Sequence, residues 1–208
     1  MYFRVFHDQV SGHTSYLLGD LANSEAILID PKIDDVAVTA AILNDQRLRL
    51  KSILFTHEHE AANEPNERVL IAYSYLYNIA GTLFLPENSD VIKFGNEYLQ
   101  LLNTPGHTLN CKSFLWRDRL FCGDVLTVDA CPHQPRPVSP SDLWNSATKK
   151  IFMLPAEIFL FSGHAKRAQF LSTVLQQRLW HPWFSGATRD AFFARIAAPT
   201  NAVEQRNK

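Results

Sequence analysis

The apolar residues in the first third of the chain come in short runs that are separated by turn-forming residues. Runs of this length, rich in branched and aromatic side chains, are typical of β-strands. Between the third and fourth runs, apolar residues recur at helical spacing over 33–46, and Asp34 or Asp35 precedes them as an N-cap. The pattern therefore predicts one helix at 33–46 and strands over residues 2–6, 14–20, 25–31 and 50–55.

The alternation of strands and helices returns in the rest of the chain. Helices are predicted over 67–80, with Gly81 as the stop, over 139–152 as a capped helix, and over 165–180. Further strands are predicted over residues 82–85, 90–94, 97–103, 112–116, 119–124 and 157–164. Two clusters of strands, each followed by helices, indicate two sheets that pack face to face with helices outside. The length fits a single α/β domain over residues 1–208.

Composition narrows the classes of function. Hydrophobic residues make up 46% and charged residues 20% of the chain, as in globular proteins with a sizeable core. The net charge of −1 gives no basic surface for nucleic acid or an anionic membrane. The apolar runs are shorter than the ~20 residues of a membrane span, and the N-terminus lacks a signal-peptide pattern. Three cysteines without close spacing indicate neither a disulfide framework nor a zinc knuckle, so we expect a cytoplasmic location.

Four predicted strands end at a histidine or an aspartate. The first leads into His57-Glu58-His59, and the others lead into His107, Asp124 and His164. Sites are commonly built at such places, because the sheet fixes the backbone while the loop exposes the side chain. Glycine precedes three of these residues, which allows tight turns that aim the next side chain.

Imidazole and carboxylate groups are suitable ligands for zinc or iron. His57, His107 and Asp124 supply the two histidines and one carboxylate of an iron(II) site that keeps open positions for oxygen and substrate. With His59 as a third imidazole, the set instead resembles a zinc site with an open position for water. Spacing alone leaves both alternatives open.

A family resemblance extends this picture. The motifs "THEH", "TPGH", "GD" and "SGH", in this order, resemble those of the metallo-β-lactamase superfamily. Segments 11–31, 92–126, 143–164 and 172–182 look like the persulfide dioxygenases and their glyoxalase II relatives. The resemblance implies an αββα sandwich, in which two packed mixed β-sheets are flanked by helices and a metal site lies at one edge.

In the persulfide dioxygenases, the residues that correspond to His57, His107 and Asp124 hold a single iron. The resemblance implies that His59 and His164 lie near the iron as catalytic residues rather than as ligands. It therefore implies one Fe(II) per chain, with zinc as the alternative, and oxidation of a thiol-bound sulfane sulfur, such as that of glutathione persulfide, to sulfite. In the dinuclear hydrolases of the superfamily, His59 would bind the first metal and His164 the second.

The chain also departs from the superfamily. In the motif T-H-x-H-x-D-H, Ala61 and Ala62 replace the aspartate and the last histidine. A methyl group has no lone pair, so a second ion would keep too few ligands, which disfavours a two-metal hydrolase. Ala165 and Lys166 replace the Asp-Tyr of a P-G-H-D-Y pattern and remove possible hydrogen-bond partners of the ligands. A one-metal hydrolase of the glyoxalase II or thioesterase type and a catalytically degenerate protein are the alternatives.

Substrate-binding positions differ as well. His133 stands near the position of the family's Cys-Gly-Arg arginine, and Trp183 replaces the arginine of its N-P-R pattern. Those arginines are plausible anchors for glutathione carboxylates, since arginine pairs bidentately with carboxylate. Arg136 and Arg178 are candidates to replace them. We expect a small-molecule thiol or persulfide substrate, no nucleic-acid or membrane partner, and a homodimer as the assembly to test.

A proline-rich segment over 131–140 follows Asp124 by a few residues and begins with Cys131. Its composition predicts an irregular loop. The loop either lines a pocket beside the site or is only a surface connection. Cys131 is correspondingly either a reactive thiol or a buried, inert one.

Overall fold

The structure, a computed structural model, describes residues 1–58, 66–77, 90–166 and 169–198. The first of its two sheets has the strand order β1-β2-β3-β4. Neighbouring strands in this sheet are antiparallel, except that β3 and β4 are parallel and are connected through helix α1. The elements of this half are β1 (Tyr2–His7), β2 (Thr14–Asp20), β3 (Glu25–Ile29), α1 (Val36–Asp45), β4 (Arg49–Leu54) and α2 (Asn66–Tyr77).

The second sheet has the strand order β10-β9-β8-β7-β6-β5. It repeats the arrangement of the first, because all neighbours are antiparallel except the parallel pair β8 and β9, between which helix α3 is inserted. The elements of this half are β5 (Val91–Phe94), β6 (Glu97–Asn103), β7 (Lys112–Trp116), β8 (Arg119–Gly123), α3 (Pro140–Lys149), β9 (Phe159–Lys166), β10 (Gln169–Thr173), α4 (Val174–Trp180) and α5 (Arg189–Ala197).

The core is divided into three layers by the two sheets. Alternate residues of a strand point to opposite faces, so Tyr16 packs between the sheets while the adjacent Leu17 packs beneath the helices of the first sheet. Every residue of β2 is buried, including the polar residues Thr14, Ser15 and Asp20 at its two ends. The hydroxyl of Tyr16 donates a hydrogen bond to the carbonyl oxygen of Ser162 at 2.5 Å, which ties the two sheets together.

The predicted α/β sandwich of two mixed sheets flanked by helices is confirmed. The prediction of a single domain over 1–208 stays a prediction. The predicted strand at 82–85 and the predicted stop at Gly81 lie outside the described residues. Asp35 is the N-cap of α1, but its side chain makes no capping hydrogen bond.

The helix predicted over 165–180 is wrong in its first half. Residues up to Lys166 continue β9, and Gln169–Thr173 form β10, which pairs antiparallel with β9. The helix begins only at Val174, where Thr173 and Gln176 form a capping box. The apolar spacing of the segment suits a helix, but the edge of the sheet offers hydrogen-bond partners for its backbone.

Candidate metal centre

The predicted site residues meet at the ends of the parallel strand pairs. His57 follows β4, Asp124 follows β8, and His164 lies in β9. His107 comes from the loop between β6 and β7. Parallel strands end at the same edge of a sheet, and the two sheets are packed face to face, so four residues from distant parts of the chain are brought together.

Asp124 is the centre of this cluster. Its Oδ2 atom lies 2.7 Å from Nδ1 of His164, 3.4 Å from Nε2 of His57 and 4.0 Å from Nε2 of His107. Its Oδ1 atom accepts a hydrogen bond from the backbone N–H of His164 at 2.8 Å. The side chains of Asp124 and His107 are fully buried. The structure thus places three histidines around the carboxylate of Asp124, and the roles of the four residues as ligands or catalytic residues stay predictions.

The donor atoms fit a metal ion. In two groups of three residues, the ligand atoms lie within 4.8 Å of one another. The first group is His57, Asp124 and His164, and the second is His107, Asp124 and Cys131, so the two predicted histidine ligands fall in different groups that share Asp124. Imidazole, carboxylate and thiolate are the donors that zinc and iron prefer. Among the described residues, Asp124 is the donor that both groups share.

The electrostatics of the cluster favour an ionised carboxylate. Burial alone would raise the pKa of Asp124, but the surrounding His164 and His57 outweigh burial and hold it well below its usual range. Burial likewise opposes protonation of His164, yet Asp124 beside it raises the pKa of that imidazole. The pKa of His107 is lowered, chiefly by burial. The cluster therefore combines one buried negative charge with imidazoles whose unprotonated nitrogens can bind a cation.

The imidazole of His57 is oriented by a buried hydrogen-bond chain. Asp30 accepts hydrogen bonds from the backbone N–H and the hydroxyl of Thr56, at 2.7 and 2.6 Å. The same hydroxyl lies 2.8 Å from Nδ1 of His57. Because the Thr56 hydroxyl donates to Asp30, it is free to accept from Nδ1–H, which directs Nε2 of His57 towards Asp124.

Two residues with positive φ angles support this chain of hydrogen bonds. Asp30 itself has a positive φ of 50°, a conformation that aspartate tolerates better than most residues. Gly123 has a φ of 54°, and a Cβ atom there would lie 2.6 Å from Oγ1 of Thr56. Glycine at this position therefore leaves room for the hydroxyl. Burial raises the pKa of Asp30 to about 7, although both hydrogen bonds from Thr56 oppose the increase.

The loop that carries His107 is held on both sides. Gly106 has a φ of 141°, and a Cβ atom there would lie 2.3 Å from Cα of Leu143, so the loop can approach α3 only with glycine. The backbone N–H of Val138 donates to the carbonyl of His107 at 3.1 Å. The proline-rich segment 131–140 therefore contacts the loop that carries a predicted ligand, and it is more than a surface connection.

Several residues named from the sequence lie elsewhere. His59, Ala61 and Ala62 are outside the described residues, so the structure says nothing about them. Their predicted consequences, a catalytic His59 and a weakened second metal site, stay predictions.

The candidate substrate-binding residues are spread over the surface and the core. His133 and Arg136 are exposed on the proline-rich loop. Arg178 donates a hydrogen bond to the carbonyl of Leu154, and Trp183 packs against the hydrophobic core of the second sheet. The replacement of the family's arginines by Arg136 or Arg178 therefore stays a prediction.

Sequence reasoning missed two residues of the site. Asp30 also follows an apolar strand, so the rule that found the other four residues could have found it. His13 had no such signal: its Nε2 lies 2.7 Å from the carbonyl oxygen of Asp30, and its ring packs edge-on against His164 at 5.3 Å. A β-bridge between His13 and His164 creates this contact, and only the fold brings the two together.

A further histidine, His181, is structural and should make stability depend on pH. Its Nδ1 accepts a hydrogen bond from the backbone N–H of Trp183 at 3.1 Å, and Nε2 lies 2.9 Å from the carbonyl oxygen of Leu126, so the ring is buried as the neutral tautomer. Burial lowers the pKa of His181 from 6.5 to about 4. Between these values the unfolded chain binds a proton that the folded chain does not, so stability present above pH 6.5 is lost as the pH falls towards 4.

Urea unfolding measured at about pH 7.5 and about pH 5 should show a loss of roughly 2 kcal/mol from this residue. Between the two pH values, the free energy of unfolding of His181→Gln should fall by about that much less than that of the wild type. His133→Gln should show the same decrease as the wild type, since His133 is exposed. An equal pH dependence in the wild type and His181→Gln would assign the effect to other groups.

The two mixed sheets, the flanking helices and a His/Asp centre at their edge define a protein of the metallo-β-lactamase class. Over 189 residues the chain is 30% identical to "Persulfide dioxygenase ETHE1, mitochondrial" of Homo sapiens, a match that covers 86% of this chain and 74% of the relative. The chain therefore belongs to the persulfide dioxygenase family of the metallo-β-lactamase superfamily.

Other comparisons agree with this assignment. The crystal structure of ETHE1 from Myxococcus xanthus superposes with a TM-score of 0.81 at 26% identity and covers 96% of this chain and 93% of that one. A hydroxyacylglutathione hydrolase of Psychromonas ingrahamii is 32% identical over 56% of this chain and 48% of its own length. No protein-family model matches the chain. These relatives confirm two predictions: the chain is an enzyme, and it is related to both dioxygenases and hydrolases.

A membrane segment was not expected. Among the described residues, none of the helices combines the length and the apolar character needed to cross a bilayer.

Proposed function

We propose that the chain is a mononuclear non-haem iron dioxygenase that oxidises the sulfane sulfur of a small-molecule persulfide, such as glutathione persulfide, to sulfite. His57, His107 and Asp124 hold one iron(II) in this proposal. The observation that carries it is the approach of both imidazoles to a single oxygen of Asp124, at 3.4 and 4.0 Å, in a chain with a persulfide dioxygenase among its relatives.

The protein's own residues have clear tasks in this reaction. When bound, iron(II) supplies redox chemistry and open positions for dioxygen and the substrate sulfur. Asp124 provides the negative charge that attracts the cation, and Thr56 keeps Nε2 of His57 facing Asp124. His164 binds Asp124 through both its ring and its backbone N–H, and so fixes the carboxylate. The buried surroundings exclude bulk water and strengthen each of these interactions.

The metal content of protein expressed in iron-replete medium, together with oxygen uptake, tests the proposal. We expect about one iron per chain and oxygen consumption with glutathione persulfide that yields sulfite. His107→Ala should lose both, whereas His7→Ala, which belongs to neither group of donors, should keep them. Protein that carries only zinc and consumes no oxygen with the persulfide would overturn the proposal.

A second candidate is a one-metal hydrolase of a glutathione thioester. It is supported by the similarity to the hydroxyacylglutathione hydrolase and by a donor set that suits zinc as well as iron. In this case the zinc-loaded protein should hydrolyse a thioester in a panel of acyl-glutathiones, and His57→Ala should abolish that activity. Full thioester turnover in His57→Ala would exclude it.

Two finer predictions accompany the proposal. We keep a cytoplasmic location as a prediction that rests on the sequence and a homodimer as the assembly to test, while the human relative is named as mitochondrial. Fractionation of cells and light scattering of the purified chain test them separately.

A further inference from the structure

The loop between β1 and β2, residues 8–13, reaches from the first sheet to the end of β9 in the second. The carbonyl of Gly12 accepts a hydrogen bond from the backbone N–H of Ala165 at 2.9 Å, and a β-bridge joins His13 to His164. Gly12 has a φ of 75°, and a Cβ atom there would lie 2.7 Å from the carbonyl oxygen of Ala165, so this close approach requires glycine. The loop is therefore fixed to the strand that carries His164.

The same loop is also fixed to the segment that follows β3 in the first sheet. Nε2 of His13 lies 2.7 Å from the carbonyl oxygen of Asp30. Because a carbonyl oxygen only accepts hydrogen bonds, Nε2 carries the proton and the imidazole donates this bond. Two residues after Asp30, Nζ of Lys32 pairs at 2.5 Å with Oδ2 of Asp8, the first residue of the loop. The loop thus connects the two segments to which Asp30 and His164 belong.

Both contacts of the His13 ring lead to the metal centre. One contact holds the backbone of Asp30, which has a positive φ. The carboxylate of Asp30 accepts from Thr56, whose hydroxyl orients His57. The other contact is with His164: the ring centroids lie 5.3 Å apart and the ring planes meet at 88°, so His13 limits the rotation of that imidazole. Among the described residues, the groups of metal donors do not include His13 itself.

We propose that His13 is a positioning residue of the metal centre, which fixes the backbone of Asp30 on one side and the ring of His164 on the other. The inference rests on the metal site of the proposed function but not on its reaction. Hydrogen bonds behind the ligands commonly change metal affinity by about 10–100-fold, because they hold the ligands in the geometry that the ion needs. Loss of His13 should therefore weaken metal binding although it removes no donor.

Cobalt(II) binding by the full chain tests the proposal, because the visible absorption bands of this ion depend on the arrangement of its ligands. His13→Phe keeps a flat ring beside His164 and removes the donor to Asp30. It should shift these bands and weaken cobalt binding by about 10-fold or more in a chelator competition. His13→Gln places an amide N–H near the position of Nε2 and should restore both properties. His7→Phe is the matched control, since His7 ends β1 beside the loop and belongs to neither group of donors, and it should behave as the wild type.

A second measurement separates positioning from a purely structural role. A structural role would change the free energy of unfolding, but it would change neither the bands nor the cobalt affinity of the folded protein. If His13 acts through Asp30, the affinity losses of His13→Phe and Thr56→Val should add incompletely, since both changes disturb one carboxylate. Fully additive losses would overturn the link through Asp30.

The outcomes distinguish this inference from the proposed function. Stoichiometric cobalt binding by the wild type, with the same bands and affinity in folded His13→Phe, would overturn the inference and leave the metal site intact. Failure of the wild type to bind cobalt would overturn both. If His13→Phe does not fold, long-range proton–nitrogen NMR spectra of the wild type decide the question. We expect the proton of the His13 ring on Nε2, and a proton on Nδ1 instead would overturn the inference.

Discussion

Asp124→Asn is expected to remove the metal ion and to lower turnover by at least about 10³-fold. The reason is that one oxygen of Asp124 is approached by three imidazoles, and both groups of donors contain this residue. Asparagine keeps the size and one carbonyl oxygen but loses the charge. Because the histidines more than offset the cost of burying this anion, the metal-free variant should also be less stable than the metal-free wild type.

The measurement is metal content together with thermal unfolding in the presence and absence of a chelator. Added metal should stabilise the wild type and not Asp124→Asn, because only the wild type binds it. Asp118→Asn is the matched control: Asp118 lies at the other end of β8, is half exposed and pairs with Arg119. Retention of the ion at wild-type affinity by Asp124→Asn would contradict the assignment of Asp124 as the central ligand.

Much of the site could be predicted because it follows one local rule. An apolar strand that leads into a polar side chain delivers it to a sheet edge, as at His57 and Asp124, and a glycine directly precedes His107 and His164. The sandwich itself follows from two clusters of strands, each of which is followed by helices.

What could not be predicted depends on contacts between distant segments. The apolar spacing of the segment 165–180 predicts a helix, whereas β10 forms by pairing with the edge of β9. The approach of Cys131 to His107 depends on the conformation of a turn after β8 rather than on any spacing. The packing of His13 against His164 requires the two sheets to be packed first. In each case the decisive interaction joins distant segments, and the local pattern of apolar and polar residues does not predict it.

Thr56→Val should weaken metal binding by about 10–100-fold, because it removes the hydroxyl that links Asp30 to His57. Valine has nearly the shape of threonine, so the strand end and its packing are preserved. The buried Oδ2 of Asp30 would lose its donor, which should also lower the free energy of unfolding by about 1–3 kcal/mol. The affinity loss follows because the imidazole of His57 is then no longer held in the tautomer that directs Nε2 towards Asp124.

Chelator competition on the folded variants separates this positioning role from simple destabilisation. Thr56→Ser keeps the hydroxyl and removes only a methyl group, so it should lose about 1 kcal/mol of stability and retain its metal affinity. If the hydroxyl acts through His57, the affinity loss of Thr56→Val should largely disappear when His57 is already replaced by alanine, since the two changes then affect one ligand. Equal affinities for Thr56→Val and Thr56→Ser would show that His57 is oriented by its surroundings alone. The hydrogen-bond chain from Asp30 would then serve only the stability of the strand end, and Gly123 would be needed for packing space and not for the metal site.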